Sequence, residues 1–335
     1  MRSRALLQAL IVAGATVAVS AALVRIAGAS PQEAWRTLLQ GSLGSRAAVG
    51  ETLMRSTGML LCALAAVVAF RGGVFNIGAE GQFLAGACAA AALGPLLPAH
   101  GWLAQPLLAL VAMAAGALVT LPALWLAERR GVPAVLSTIL LNMMMAAMLT
   151  WLVRGPLRDP AGDFPQSRPL HEELRLDPLV SGARTTAAVP VAFALAAALA
   201  WALYRTPAGL KLRAAGEAPL AVRAAGLNDV LIRTCAFAAS GALAGLGGGL
   251  EITAITGRLY DPFTSGVGYT GIAAALLGGT HPLGAAAASL LFAALGAGSS
   301  AMQRDAGVPA SLSMIAPALA MLALLAARGR GDPPR

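Results

Sequence analysis

Ten apolar runs constrain the fold of this sequence more than any other feature. Proline, glycine or charged residues separate them, and they cover residues 5–24, 51–70, 80–97, 103–126, 132–153, 187–204, 231–250, 267–280, 283–302 and 310–327. A helix of about 20 apolar residues crosses the hydrocarbon core of a bilayer. We therefore expect an all-α integral membrane protein with about ten transmembrane helices, forming a single polytopic domain over residues 1–335.

The composition supports this class. Hydrophobic residues make up 58% of the chain and charged residues only 12%, whereas soluble domains carry about 25% charged residues. The net charge of +9 comes almost wholly from arginine, since Lys211 is the only lysine. The arginines are scattered and form no basic cluster with aromatic residues, so we expect contact with membrane lipid and no nucleic acid.

The first apolar run allows two interpretations. It follows Arg2 and Arg4, and Ala27-Gly28-Ala29 resembles the cleavage site of a signal peptide. A cleaved signal has an apolar core of about 7–15 residues, and the run 5–24 is longer. We expect a retained first span, with cleavage as the alternative.

The distribution of arginine predicts the orientation. Ten spans place both termini on one side of the membrane, and cationic residues concentrate in cytoplasmic segments. The segments on the side of the termini carry Arg2, Arg4, Arg71, Arg129, Arg130, Arg205, Lys211, Arg213, Arg223, Arg328, Arg330 and Arg335, against Arg36, Arg46, Arg258 and Arg304 in the short loops opposite. We expect both termini in the cytoplasm of a bacterial cell, with the protein in the inner membrane.

Residues 154–186 form a long outer polar loop in this topology. The stretch GPLRDPAGDFPQSRPLHEELRLDP is rich in proline, and the loop balances five arginines with five acidic residues. The rule that cationic residues concentrate on the cytoplasmic side holds mainly for short loops, so the arginines of this loop say little about orientation. An ordered polar cap and a disordered linker both fit this composition.

Several spans are shorter than 20 residues and rich in glycine. They cannot all be simple lipid-facing helices, so some must be broken or re-entrant and shielded by neighbouring helices. The group of spans 2–5 begins on the outer side of the membrane, and the group of spans 7–10 begins on the inner side. This parity permits an inverted structural repeat of the kind found in many transporters.

The stretch GGVFNIGAEGQ, residues 72–82, places Asn76, Glu80 and Gln82 among glycines between two apolar runs. Polar groups at membrane depth are costly and usually face a cavity, a pathway or each other. Glu80 can also act as a structural cap, because the first turn of a helix favours a carboxylate. The stretch therefore shapes a translocation path or ends a helix, and both interpretations remain open.

Two further patterns concern helix packing. Asn142 lies in the middle of an apolar span, where it serves a pathway or makes an interhelical hydrogen bond. Gly241, Gly245 and Gly249 recur every four residues in span 7. This spacing predicts a stripe of small residues for close helix packing.

The stretch TPAGLKLRAAGEAPLAVRAAGLN, residues 206–228, fills the longest proposed cytoplasmic loop. Pro219 and Gly226 bracket a short helix, because proline favours the first turn and glycine the position past the end. An exposed short helix between two spans is suited to docking a cytoplasmic partner. The alternative is a turn that lies on the lipid headgroups.

Enzyme signatures are missing from the sequence. It contains no G-x-x-x-x-G-K-[ST] phosphate loop and no G-x-S-x-G elbow. The histidines His100, His171 and His281 are isolated and lack the spacing of a zinc site. We expect no catalytic residue, metal or cofactor in this chain.

Four stretches together carry a resemblance to a known family. They are FRGGVFNIGAEGQFLAGA, LRAAGEAPLAVRAAGLN, GPLRDPAGDFPQSRPL and YTGIAAALLGGTHPLGAAAASLLFAALGAGSSAMQ. The sequence resembles the permeases of bacterial ABC importers for simple sugars, nucleosides and branched-chain amino acids, most closely the nucleoside-type branch. The resemblance extends from about residue 30 to residue 327.

The resemblance implies that this chain is one subunit of a larger protein complex. It implies a second permease chain, identical or related, two cytoplasmic ATPase subunits that bind ATP and Mg, and an external substrate-binding protein or lipoprotein. It makes 205–229 a cytoplasmic coupling loop, with the ATPase coupling positions Arg213, Gly216, Glu217, Pro219 and Gly226. It places Asn76, Glu80, Gln82 and Asn142 near the translocation pathway.

Other functions remain as alternatives. A simple sugar importer is the nearest one, and branched-chain amino acids fit less well. A secondary transporter driven by protons or sodium needs ionisable residues in mid-span, but Glu51, Glu80 and Glu251 lie near span ends, and Glu51 is spaced to pair with Arg55. A membrane enzyme that acts on lipid is the last alternative, but the sequence suggests no paired set of catalytic residues for it.

Overall fold

The computed structural model describes residues 30–97, 103–180, 182–264 and 266–309, with isolated positions between 14 and 28. Regular structure in these ranges is helical, and extended pairing is limited to isolated bridges. The last predicted span, 310–327, lies outside the described residues, and so does the first, 5–24, except for isolated positions.

The helices follow the predicted spans closely. In chain order they are α1 (Pro31–Leu43), α2 (Arg46–Arg71), α3 (Ala79–Leu93), α4 (Ala104–Arg130), α5 (Ala134–Arg154), α6 (Ala188–Arg205), α7 (Pro207–Glu217), α8 (Pro219–Ala224), α9 (Asp229–Glu251), α10 (Val267–Leu277) and α11 (Pro282–Asp305). Short 3-10 turns cover Gly94–Leu96 and Glu172–Leu174, and a π turn, Ile252–Thr256, extends α9.

Six helices in the described part of the chain are long and apolar enough to cross a membrane: α2, α4, α5, α6, α9 with its π turn, and α11. The two remaining predicted spans in this part correspond to shorter helices, α3 and α10. The chain is therefore a mostly helical, multi-pass membrane protein.

Capping residues, rather than hydropathy, set several helix starts. Helix α2 begins at Arg46 instead of residue 51, because the Ser45 hydroxyl accepts a 3.0 Å hydrogen bond from the Ala48 N–H. Helix α9 begins two residues before the predicted span, because the Asn228 side chain accepts a 3.0 Å hydrogen bond from the Leu231 N–H. Such caps satisfy N–H groups that lack a partner within the helix.

The chain divides into two compact units. One comprises Met1–Ser56, Leu179–Thr185 and Leu290–Arg335, and the other comprises Thr57–Pro178 and Thr186–Ser289.

The first unit has its own small core. Buried residues of α1 pack with others near the end of α11, in a cluster of Val24, Ala34, Leu38, Met302 and Val308. The predicted pair of Glu51 and Arg55 is confirmed, with 2.7 Å between Arg55 Nε and Glu51 Oε1. Arg55 also donates a 3.3 Å hydrogen bond to the Ser300 hydroxyl of the same unit.

The glycine stripe of α9 organises the second unit, and the predicted close packing is confirmed. A Cβ atom on Gly245 would collide with the Ala112 carbonyl and come within 2.9 Å of the Gly116 Cα. A Cβ atom on Gly249 would lie 2.5 Å from the Ala112 side chain. On the other side, Gly86 of α3 is packed against the Gly245 backbone. Helices α3, α4 and α9 thus meet backbone to backbone, as small residues allow.

Backbone hydrogen bonds hold the loop after α5 to itself and to the segment that follows α9. Backbone bridges join Arg158 to Ser167 and Gln166 to Tyr260. The Leu176 N–H donates a 2.9 Å hydrogen bond to the Thr253 carbonyl. The loop therefore covers the segment that follows α9.

Candidate functional site

The backbone leaves the helical path between α2 and α3. Residues 74–77 are neither helix nor strand, and Gly73 has a φ of +76°, which side chains other than glycine rarely adopt. Phe75 in this segment stacks on Phe70, with 4.4 Å between the ring centroids. We call residues 72–78 the first break.

Asn76 is the centre of the first break. Its Nδ2 donates to Gln82 Oε1 at 3.1 Å and to the Ser240 hydroxyl of α9 at 2.9 Å. Its Oδ1 accepts from the Gly78 N–H at 2.7 Å and from Gln82 Nε2 at 3.3 Å. The amide thereby uses both donor and both acceptor positions. A fully buried side chain with every position paired holds the break in one conformation.

Asn142 holds the same segment from α5. Its Oδ1 accepts from the Gly81 N–H at 2.8 Å, and its Nδ2 donates to the Ile77 carbonyl at 2.9 Å. The same nitrogen donates to the Tyr269 hydroxyl of α10 at 3.1 Å. Asn142 therefore makes the interhelical hydrogen bonds that one interpretation of the sequence required.

Glu80 binds the start of a distant helix. It lies in the first turn of α3, and its Oε2 accepts a 2.6 Å hydrogen bond from the Gly268 N–H in the first turn of α10. Thr264, Gly266 and Tyr269 also present hydrogen-bonding groups to this carboxylate. The N-terminus of a helix offers unpaired N–H groups and a positive dipole end, so it suits a carboxylate.

The structure thus brings the four predicted pathway residues together around one break. Their exposed fractions are 0% for Asn76, 1% for Gln82, 3% for Asn142 and 7% for Glu80. Their hydrogen-bonding groups are engaged within the protein. In this conformation they fix the backbone of the break and expose little polar surface to a solute.

The 205–229 loop folds as two short helices, α7 and α8. Proline occupies the first turn of α8 and Gly226 follows its end with a φ of +75°, so the predicted bracketing is confirmed. Glu217 is exposed, whereas Val222 of α8 is buried. Leu220 is the most exposed apolar side chain of this loop, at 76%. The helix therefore combines an inward anchor with an outward apolar tip.

This loop touches the start of the first break. A Cβ atom on Gly73 would come within 2.9 Å of the Gly216 Cα, so the two backbones are in direct contact. Arg213 fixes α7 to the end of α6, because its Nε donates a 3.1 Å hydrogen bond to the Leu203 carbonyl. The guanidinium of Arg213 also lies 5.0 Å from the centre of the Tyr204 ring. One predicted coupling residue, Gly216, therefore contacts the first break directly, and Arg213 holds the helix that carries it.

An ion pair between Arg223 and Asp229 joins α8 to the start of α9. Arg223 Nε and Nη2 donate to the two carboxylate oxygens of Asp229 at 2.8 and 2.9 Å. This hydrogen bonding raises the pKa of Arg223 above its ordinary value. Sequence analysis did not single out the pair, although the Asn-Asp start of α9 after Arg223 was a usable signal.

A cavity of about 210 Å³ adjoins the first break. Val74, Phe75 and Phe237 line it together with Glu128 and Arg233, whose side chains approach to 3.6 Å. Sites for small molecules usually occupy about 300–1,000 Å³. The cavity is smaller than that range, so it is not a formed substrate site in this conformation.

Other contributors to the site were missed by the sequence analysis. They are Thr138 and Ser240, which bond the first break, and Tyr269, which bonds Asn142. Among the described residues, no group of three His, Cys, Asp or Glu side chains could hold a metal ion. The hydrogen bonds of this site can hold the backbone of the first break and the neighbouring helices in position.

Comparison with known proteins places this architecture in context. The family model of the branched-chain amino acid transport system permease component matches residues 49–325. The chain is 33% identical to the glucose ABC transporter permease protein TsgB13 of Haloferax volcanii, over 93% of this chain and 84% of that protein. It is 32% identical to the guanosine ABC transporter permease protein NupP of Bacillus subtilis, over 91% of this chain and 89% of that protein.

A third relative is the nucleoside ABC transporter permease protein NupB of Lactococcus lactis, 29% identical over 84% of this chain and 80% of that protein. No solved structure matches the chain significantly.

Proposed function

This chain belongs to the family of branched-chain amino acid transport system permease components, and we propose that it forms the translocation pathway for nucleosides in an ABC importer. The observation that carries the proposal is the contact between Gly216 of the 205–229 loop and Gly73 of the first break. A loop suited to an ATPase partner thereby reaches the irregular segment beside the pathway. Irregular backbone at membrane depth is tolerated only where protein buries it or where it lines a cavity.

The proposed topology has ten crossings and cytoplasmic termini. The described helices account for eight of them, if α3 and α10 cross as short helices shielded by their neighbours. Spans 2–5 and 7–10 form an inverted repeat in this proposal. The repeat is supported by two short helices, α3 and α10, in corresponding places of the two halves. The loop 154–186 then lies outside and faces an external binding protein or lipoprotein.

The pathway residues act by fixing the first break. Asn76, Gln82 and Asn142 hold its backbone, and Glu80 attaches α3 to α10. Solute would pass beside this braced segment rather than bind the four side chains themselves. Movement of α10 or of the 205–229 loop would change the width of the passage.

The 205–229 loop docks the ATPase subunits. Arg213 and Gly216 attach α7 to the membrane helices, while Pro219 and Gly226 start and end α8. Glu217 and the exposed Leu220 offer a charged and an apolar contact to the partner. In this proposal ATP and Mg bind to the partner subunits, which hydrolyse the ATP.

Nucleosides are the proposed substrate because two of the reported relatives carry guanosine or nucleoside in their names. Simple sugars are the second candidate, since another relative is named for glucose. Both classes are small, uncharged and rich in hydroxyl groups. A second permease chain, identical or related, would complete the pathway.

The test is purification of this chain in mild detergent from its native membrane, with identification of the proteins that accompany it. We expect a P-loop ATPase to accompany the chain and the preparation to hydrolyse ATP. Both should be lost when residues 217–226 are scrambled in a variant that still inserts. A chain with its 179–185 segment scrambled serves as the control and should retain the ATPase. A folded chain that purifies alone and without ATPase activity would overturn the importer assignment.

A further inference from the structure

Arg71, the last residue of α2, reaches a second turn of the backbone. Its Nε donates a 2.9 Å hydrogen bond to the Thr280 carbonyl and its Nη2 donates a 3.3 Å bond to the Gly279 carbonyl. These carbonyls belong to the turn between α10 and α11. We call residues 278–281 the second break. Cationic groups at the C-terminal end of a helix satisfy its unpaired carbonyl groups.

The second break is held in a costly conformation. Thr280 has a φ of +51°, although β-branched residues rarely adopt positive φ. A Cβ atom on Gly278 would collide with the Ala285 backbone, so the two ends of the turn are in contact. Such strain persists only where the surroundings impose it. The hydrogen bond from Arg71 to the Thr280 carbonyl is one of those constraints.

The same guanidinium also faces the 205–229 loop. Arg71 Nη1 lies 3.7 Å from Glu217 Oε1, at the end of α7. Its guanidinium carbon lies 6.0 Å from the centre of the Tyr204 ring, and that ring stacks on His281 at 4.9 Å. The backbone of Arg71 is itself packed against Gly216. One residue therefore contacts the loop, the start of the first break and the second break.

We propose that Arg71 is the positioning residue that links the 205–229 loop to both breaks, so that a movement of the loop shifts both together. The proposal rests on the assignment of that loop to ATPase coupling. Because Glu217 is largely exposed, its ion pair with Arg71 is weak and can open. The bonds to the Gly279 and Thr280 carbonyls provide the lasting connection.

The geometry requires arginine. A planar guanidinium directs separate N–H groups at two carbonyls and a carboxylate, whereas a lysine ammonium is a single point of charge on a flexible stem. Arg71→Lys should keep the charge at the end of α2 but lose the fixed set of bonds. Arg130→Lys is the matched control, since Arg130 also ends a helix, α4, and lies 5.8 Å from the Trp125 ring of its own helix.

The experiment compares wild type, Arg71→Lys and Arg130→Lys complexes in proteoliposomes with the external binding protein. Basal ATP hydrolysis, its stimulation by loaded binding protein, and labelled guanosine or glucose taken up per ATP are measured. We expect Arg71→Lys to retain assembly and basal hydrolysis but to lower uptake per ATP by about fivefold or more. Arg130→Lys should leave the ratio unchanged.

An unchanged ratio in Arg71→Lys, with wild type coupled, would overturn this inference but not the importer assignment. If wild type itself shows no ATP-dependent uptake, the importer assignment fails. If Arg71→Lys does not assemble, Arg71→Gln replaces it, because its shorter, uncharged amide cannot make the bonds to two carbonyls and a carboxylate together. We expect assembly with reduced uptake per ATP, and an unchanged ratio in Arg71→Gln would overturn the inference.

Discussion

The N–H of Gly268 donates a 2.6 Å hydrogen bond to the carboxylate of Glu80, which lies 188 residues earlier in the chain. The bond joins the first turn of α3 to the first turn of α10. Both helices are shorter than a usual membrane span. This bond fixes the starts of two short helices to each other.

Replacing Glu80 should therefore loosen the junction. Glu80→Gln keeps the shape but weakens a charge-assisted bond, for an expected loss of about 1–3 kcal/mol in the free energy of unfolding. Unfolding of the purified protein in mixed micelles measures this loss. Glu33→Gln in the first turn of α1 is the control, because Glu33 is exposed. Equal stability of the two variants would show that Glu80 does not hold the junction.

Loss of the Asn76 side chain should destabilise the protein more than loss of the Ser240 hydroxyl. Asn76→Ala leaves the Gly78 N–H, the Gln82 amide and the Ser240 hydroxyl without a partner, and each orphaned buried group costs about 1–3 kcal/mol. Ser240→Ala removes only one acceptor and should cost less. Uptake by cells and the folded fraction in detergent measure both variants. A larger effect of Ser240→Ala would contradict the central place of Asn76 in this network.

The backbone contact between α4 and α9 gives a steric prediction. Gly245→Ala places a methyl group against the Ala112 carbonyl and Gly116, and overpacking of this kind costs about 1–3 kcal/mol. Gly296→Ala, in the interior of α11, meets no atom within 4 Å and should be neutral or slightly stabilising. The yield of monodisperse protein on size-exclusion chromatography compares the pair. Similar yields would mean that α4 and α9 do not pack this closely.

The exposed tip of α8 should matter for assembly and not for folding. Leu220→Glu replaces a side chain that is 76% exposed, so the chain should fold normally but lose most of its co-purifying ATPase. Leu179→Glu, at 60% exposure in the 154–186 loop, is the control and should retain it. Mass spectrometry of the two preparations gives the ratio of ATPase to permease. Retention of the ATPase by Leu220→Glu would move the docking surface elsewhere.

Hydropathy and small-residue spacing predicted much of the fold. The apolar runs from residue 51 to residue 302 each coincide with one helix, since a helix that crosses a bilayer must be apolar over its length. The stripe of Gly241, Gly245 and Gly249 likewise predicted close packing. Helix starts were less accurate, because the Ser45 and Asn228 caps add polar first turns that an apolar window ignores.

The contacts of the site could not be predicted in the same way. Sequence indicated that Asn76, Glu80 and Asn142 were unusual, but it gave no signal for Ser240 or Gly268 as their partners. These pairs join residues 164 and 188 positions apart, and only tertiary packing brings them together. The role of Arg71 was hidden for the same reason, since an arginine at a helix end is ordinary in a membrane protein.

The most direct test of the central claim is uptake by proteoliposomes that contain the complex purified through this chain. Labelled guanosine or glucose is supplied with the external binding protein, and ATP is enclosed on the side of the ATPase. We expect uptake that requires ATP hydrolysis and continues when ionophores collapse the proton and sodium gradients. Uptake that proceeds without ATP and stops with an uncoupler would contradict the account and identify an ion-coupled transporter.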